Sequence, residues 1–257
     1  MRTGGSTGSQ NGNNNCSQTE NRPGDHQCGH GKILVVGLGP GGSDFLTPRA
    51  QAALDEAQVI IGYKTYLGFI KDLLGDKQVI GSGMRKEIDR ARQAVQLARQ
   101  GQVVAVVSSG DPGVYGMAGI ILELAADSVP VEVVPGVTAA TSAAAVLGAP
   151  LMHDFAVISL SDLLTPWETI ARRLQAAAQA DFIIVLYNPK SKGRETQIAR
   201  ARDIILAHRH PQTPVGIVRN AKRGGEQKVL AILGNMLNED IDMFSTVVIG
   251  NSQTRIE

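Results

Sequence analysis

From residue 32 onward, short apolar runs alternate with longer stretches of helical period. The runs at 32–36 (KILVV), 59–61 (VII), 103–107 (VVAVV) and 131–134 (VEVV) are too short for helices and rich in Val and Ile, which predicts buried strands. Between them, 87–100 repeats its apolar residues every three or four positions, and 115–126 resumes that pattern, so both are expected as helices. Thr47 and Pro48 read as the N-cap and first residue of another helix. The small-residue stretch 139–147 (AATSAAAVL) is a helix suited to lying close against a sheet. After Pro150 the rhythm restarts, with strands expected at 155–160, 182–186, 215–218, 229–232 and 246–249 and helices at 166–178 and 194–208. Segment 223–232 has the pattern of a hairpin turning at Gly224 and Gly225. Strands alternating with helices imply a mainly parallel sheet covered on both faces. The expected fold class is α/β, with two successive α/β domains at 31–152 and 153–257.

Residues 1–30 are polar and aperiodic and cannot bury enough apolar surface to offset ordering, so they read as a disordered tail. The tail alternates His26, Cys28 and His30, a soft-metal pattern, but it offers neither a fourth ligand nor a supporting shell, and no metal site is expected. The remaining composition is that of a globular chain, with 43% hydrophobic and 19% charged residues. The 25 Lys and Arg nearly balance 24 Asp and Glu, which argues against a nucleic-acid partner, since such binders carry a basic field. The one basic cluster, RNAKRGG at 219–225, has no interleaved aromatics. Cys16 and Cys28 both fall in the tail, so no disulfide framework is expected and a reducing, cytoplasmic setting is. The uncharged run 133–152 is broken by Pro135, Gly136 and Pro150, which makes it a buried loop and helix, not a membrane span.

The chemistry concentrates at strand ends. Gly37, Gly39 and Gly42 satisfy GxGxxG directly after a strand, which raises a dinucleotide site as the first alternative. Such a site needs an acidic residue about 20 positions on, at the end of the second strand, to bind ribose. Gly62 and Tyr63 stand there instead, and Pro40 removes a backbone donor from the turn. No Gly-Lys-Ser/Thr follows, so it is not a P-loop. In the second loop, 108–116 (SSGDPGVYG), Asp111 either caps the next helix or faces a ligand. In the third, PGVTAAT, Thr138 and Thr141 are likewise helix-cap or ligand-facing hydroxyls. Three such loops on one sheet mark a ligand crevice more strongly than any one of them.

In this order, GLGPGG, SSGDPGVYG and PGVTAATSAAA resemble the tetrapyrrole (corrin/porphyrin) methyltransferase family, over nearly the whole chain from Lys32. GYKTYL at 62–67, GMRKE at 83–87, GAPLMHDFAVISLSDLLTPWE at 148–168 and YNPKSK at 187–192 are similar to its subgroup that methylates carbon 17 of precorrin-3B or cobalt-factor III and contracts the ring. One departure is that Gly42 and Ser43 precede Asp44, where many members have an acidic residue directly after GPG. The resemblance implies two α/β domains with S-adenosylmethionine in the cleft between them, an anionic tetrapyrrole substrate and a homodimer. By matching motifs it places Pro40, Gly110, Asp111, Val114, Thr138 and Ala139 at the cofactor from the first domain. Tyr187, Asn188 and Ala221 occupy similar strand-end positions in the second.

Methyl transfer draws mostly on positioning in a closed cleft, whereas ring contraction also moves protons and needs an acid or base. His153, followed by Asp154, is the first candidate, with Asp111 and Tyr115 behind it. Each also has a plain structural reading, His153 as a linker residue bonded to backbone. Substrate carboxylates call for scattered cations, and Lys64, Arg85, Lys86, Lys190, Lys192, Arg194, Arg219, Lys222 and Arg223 all fall at strand ends or loops. Of these, Lys64, Arg85 and Lys190 are taken as substrate-binding. Two alternatives stay open: a tetrapyrrole methylase acting at another carbon, and a sensor that binds S-adenosylmethionine without chemistry. Whether the substrate carries cobalt is not legible in the residues.

Overall fold

The structure, a computed structural model, describes residues 31–83 and 86–256. The tail residues Cys16, His26, Cys28 and His30, and also Arg85, lie outside the described residues.

The first sheet holds β1 (Lys32–Gly37), β2 (Val59–Tyr63), β3 (Gln78–Ser82), β4 (Val103–Ser108) and β5 (Val131–Val134). Its order is β3-β2-β4-β1-β5 and every pair is parallel. The unbroken apolar runs follow from coverage of both faces. Ile33 and Val35 point to one core, with Ala91, Ala94 and Ile121, while Leu34 and Val36 point to the other, with Ala50, Ala53 and Leu54. These partners lie on α1 (Pro48–Glu56), α3 (Glu87–Arg99) and α4 (Ala118–Ala125); a short α2 (Lys64–Gly68) follows β2. Thr47 caps α1 as expected, its hydroxyl accepting from the Ala50 amide at 3.1 Å.

Two expectations are corrected in this half. β3 carries no apolar run and was missed, because it is an edge strand whose residues are mostly exposed or half-buried. The helix expected from 115 starts at Ala118, since Tyr115 sits at φ 57°, a left-handed conformation that a right-handed helix does not contain.

Helix α5 (Ala139–Leu147) leads into the second sheet: β6 (Phe155–Ser159), β7 (Ile183–Tyr187), β8 (Pro214–Arg219), β9 (Gln227–Ile232) and β10 (Ser245–Ile249). Its order is β6-β7-β10-β8-β9. Only β6 and β7 pair in parallel; β10 runs antiparallel to both β7 and β8, and β8 to β9. The mainly parallel reading therefore holds for the first sheet alone. The 220–226 connection is too short for a crossover, so β8 and β9 form a hairpin whose arms are those two strands, not segments within 223–232. α6 (Trp167–Gln179) and α7 (Gln197–Leu206) cover one face through Trp167, Leu174, Ile198 and Ile205. α7 begins three residues later than expected, because Arg194 is held in a bridge with Ser191. α5 covers the opposite face, setting Ala140 and Ala143 against Ile183, Val185, Val218 and Val248. Among the described residues no helix is long and apolar enough to cross a membrane.

Candidate functional site

The C-terminal ends of β1, β4 and β5 lie side by side, and glycine lets their loops interlock. Leu38 N donates to Ser108 O at 2.8 Å, and Gly39 and Gly110 exchange backbone hydrogen bonds at 3.1 and 2.7 Å. A Cβ on Gly136 would stand 2.3 Å from the Gly110 carbonyl oxygen, and one on Gly37 would stand 2.6 Å from the Gly136 nitrogen. Only a residue without a side chain tolerates that approach. Asp111 then ties the second loop to the third: Oδ1 accepts from Gly113 N at 2.8 Å and Oδ2 from Gly136 N at 3.1 Å. It does not cap α4, whose first amide, Ala118 N, donates to Pro112 O instead.

The second sheet meets these loops from across a cleft. Tyr187, at the end of β7, accepts from the Ala140 amide at 2.6 Å, and its hydroxyl lies 2.6 Å from Thr138 Oγ1. Burial pushes the Tyr187 phenol upward in pKa, against the opposing pull of the Thr138 and Ala140 bonds. The Tyr115 ring sits 5.9 Å from that of Tyr187, and its hydroxyl donates to Val157 O at 2.9 Å, bridging the halves. Asn188 Nδ2 donates to Ser159 Oγ at 2.9 Å. Tyr115, Asn188 and Asn220 all have positive φ without being glycine, a sparsely populated conformation that tends to gather at ligand sites.

The cleft has a cavity volume of about 150 Å³ and opens to solvent at its mouth. All nine residues matched to the cofactor line it: Pro40, Gly110, Asp111, Val114, Thr138 and Ala139 from one side, and Tyr187, Asn188 and Ala221 from the other. Tyr66, Ser109, Tyr115, Asn220, Arg223, Phe244 and Thr246 complete the wall.

Other candidates stand apart. His153 is exposed in the linker before β6 and has no side-chain hydrogen bond or ion pair among the described residues, Asp154 included. The cleft lies at the far end of β6, and a five-residue strand spans roughly 16 Å. Lys64 and Lys190 are exposed and do not line the cleft. Lys86 pairs with Asp89 at 3.2 Å and Arg219 with Asp242 at 2.7 Å, while Arg194 donates to Asn188 O at 3.0 Å. Of the eight described cations among those weighed from sequence, Arg223 alone is on the cleft wall. Sequence does not single it out, because its placement depends on the β8–β9 connection folding back onto the first sheet, where Arg223 meets Ser109. Tyr66 was missed too, and only its place in GYKTYL marked it.

Two sheets of an α/β fold, with glycine-clamped loops facing a shared cleft between them, define the class of the protein. The sequence profile of the tetrapyrrole (corrin/porphyrin) methylases matches residues 32–236, and the chain belongs to that family. It is 51% identical over 228 residues to the probable cobalt-factor III C(17)-methyltransferase of Salmonella typhimurium, covering 88% of this chain and 95% of that one. It is also 51% identical over 231 residues to the cobalt-factor III methyltransferase of Priestia megaterium, covering 87% of this chain but 43% of that longer protein. Among solved structures, the methyltransferase CobJ superposes with a TM-score of 0.84 at 38% identity, covering 88% of this chain and 97% of that one.

Proposed function

We propose that this chain is an S-adenosylmethionine-dependent C-methyltransferase of cobalamin biosynthesis. It methylates carbon 17 of precorrin-3B or cobalt-factor III with ring contraction to a precorrin-4-type product. The observation that carries this reading is the convergence of all nine motif-matched residues on one cleft, in a chain 51% identical to a relative named for that reaction.

The cleft suits the cofactor. At Gly110, φ 70° and the missing side chain leave the wall open, a Cβ there meeting nothing nearer than 3.8 Å. Val114, Ala139 and Ala221 offer apolar surface beside the Thr138 hydroxyl, and among the described residues Arg223 is the one cation of the wall, not the cluster a pyrophosphate demands. Pro40, Gly110, Asp111, Val114, Thr138 and Ala139 would hold the cofactor from one side, and Tyr187, Asn188 and Ala221 from the other. Bound S-adenosylmethionine supplies a methyl group on an electrophilic sulfonium. The chain's own part is to hold the loops rigid, orient the reacting carbon and exclude water. For proton movement, the cleft wall contains the Asp111 carboxylate and the Tyr115 hydroxyl, both fixed by their bonds to backbone. His153 has no part in this proposal.

The division into units at 31–152 and 153–257, a homodimer and a cytoplasmic setting belong to the same reading. Two separate sheets support a division into two units, while α5, which lies within 31–152, packs on the second sheet. Size determination of the purified protein tests the dimer. The activity is tested by incubating the protein with methyl-labelled S-adenosylmethionine and either precorrin-3B or cobalt-factor III. Label entering one pigment, with the absorbance change of ring contraction, is expected. Cofactor binding with no label in either pigment would leave a sensor, and label without contraction a methylase acting at another carbon.

A further inference from the structure

We propose that Arg223 is a carboxylate anchor built into the cleft wall, holding a carboxylate of the methyl donor or of the tetrapyrrole. This rests on the reading of the cleft given above and adds a residue that the motif match does not assign.

Arg223 stands on the β8–β9 connection and reaches across to the first sheet. Its Nη2 donates to the Ser109 hydroxyl, and its guanidinium carbon lies 4.3 Å above the Phe69 ring. Its stem runs past the first glycine loop, where a Cβ on Gly41 would come within 3.2 Å of Arg223 Cγ. Phe69 is in turn stacked on Tyr66, with centroids 6.1 Å apart, and Tyr66 also lines the cleft. The guanidinium plane is therefore fixed from below and from the side before any ligand arrives, which lowers the entropy lost on binding.

What it lacks is a counter-charge. Among the described residues no carboxylate pairs with Arg223, and its Nε is buried without a hydrogen-bond partner. Burial pushes its pKa down, opposed only by Tyr66. A guanidinium cannot shed its proton to relieve this, so a half-buried fork without a counter-charge carries a desolvation cost that Ser109 and Phe69 offset only in part. A planar carboxylate meets the guanidinium at its Nη end, where Nη1 has no hydrogen-bond partner among the described residues and Nη2 has only Ser109. The amino-acid end of S-adenosylmethionine and the acetate and propionate arms of a tetrapyrrole both present one.

The test is calorimetric binding to the full chain and its Arg223→Met and Arg223→Lys variants, with thermal melts as the check on folding. S-adenosylhomocysteine and 5′-methylthioadenosine share a nucleoside and a thioether, but only the first bears a carboxylate. Uroporphyrin I, followed by fluorescence, supplies the tetrapyrrole carboxylates. Arg223→Met is expected to weaken one carboxylate probe about ten- to hundredfold, with methylthioadenosine unchanged. A loss confined to S-adenosylhomocysteine identifies the donor's carboxylate, and a loss confined to uroporphyrin identifies the substrate's. Arg223→Lys, which keeps the charge over Phe69 but not the fork, is expected to lose several-fold less, and it carries the test alone if the Met variant does not fold. Unchanged binding of both carboxylate probes overturns the proposal. So does an equal loss for methylthioadenosine, which is the signature of a strut. Failure of the unsubstituted protein to bind either carboxylate probe overturns the reading of the cleft and the anchor with it, and it is seen before any substitution is made.

Discussion

One carboxylate, Asp111, holds two of the three loops that shape the cleft, by accepting one amide from each. Asp111→Asn keeps the shape but offers one acceptor oxygen in place of two, leaving either Gly113 N or Gly136 N unpaired. A loss of about 1–3 kcal/mol in chemical denaturation is expected, together with weaker S-adenosylhomocysteine binding. Asp242 sets the response to acid. Burial pushes its carboxyl up, but the Arg219 side chain, the Phe244 amide and the Ser245 hydroxyl together outweigh this and hold its pKa below the ordinary carboxylate value. Its contribution to stability is therefore complete above the unfolded pKa of roughly 4 and lost as pH falls through the lower folded value. Asp242→Asn is expected to lower Tm at pH 7 and to flatten the decline of Tm on acidification; an unchanged decline would remove Asp242 as its source. From sequence Asp111 remained open between cap and ligand, because the choice depends on Gly136, 25 residues away.

At the scale of elements, the close approach of β1, β4 and β5 rests on their glycines. In Gly136→Ala the new methyl group meets the Gly110 carbonyl oxygen, which belongs to backbone and cannot swing aside. A destabilisation of about 1–3 kcal/mol or more is expected, with loss of ligand binding beyond what stability alone explains. Denaturation and titration of the same sample separate the two effects. The elements legible in sequence are those with a local cause. β1 and β4 announced themselves by apolar runs buried on both faces, α5 by its small-residue stretch, and α1 by Thr47. β3 was not legible, because an edge strand is specified by its neighbour β2 and not by its own polarity. The late start of α4 was hidden because helical period extends back over Tyr115, which tertiary contact with Tyr187 and Val157 holds out of the helix.

For the whole molecule, both sheets contribute the cleft walls, so a ligand held there would stabilise the fold. S-adenosylhomocysteine at about 100 times its Kd is expected to add about 2.7 kcal/mol, which for a chain of this size raises Tm by roughly 5–10 °C. A melt that does not move at millimolar ligand would count against the cleft as the cofactor site. The sequence by itself determined the α/β class, the three strand-end loops and, through resemblance, the family and the nine residues that share the cleft. These are local signals: a buried run, a cap or a glycine turn is written in adjacent residues. Tertiary structure alone decided that β10 runs against its neighbours, that α5 crosses to the second sheet, that His153 and the cleft lie at opposite ends of β6 and that Arg223 reaches the cleft wall. Each of these depends on which distant segments pack together, and no local pattern of apolar and polar residues encodes that choice.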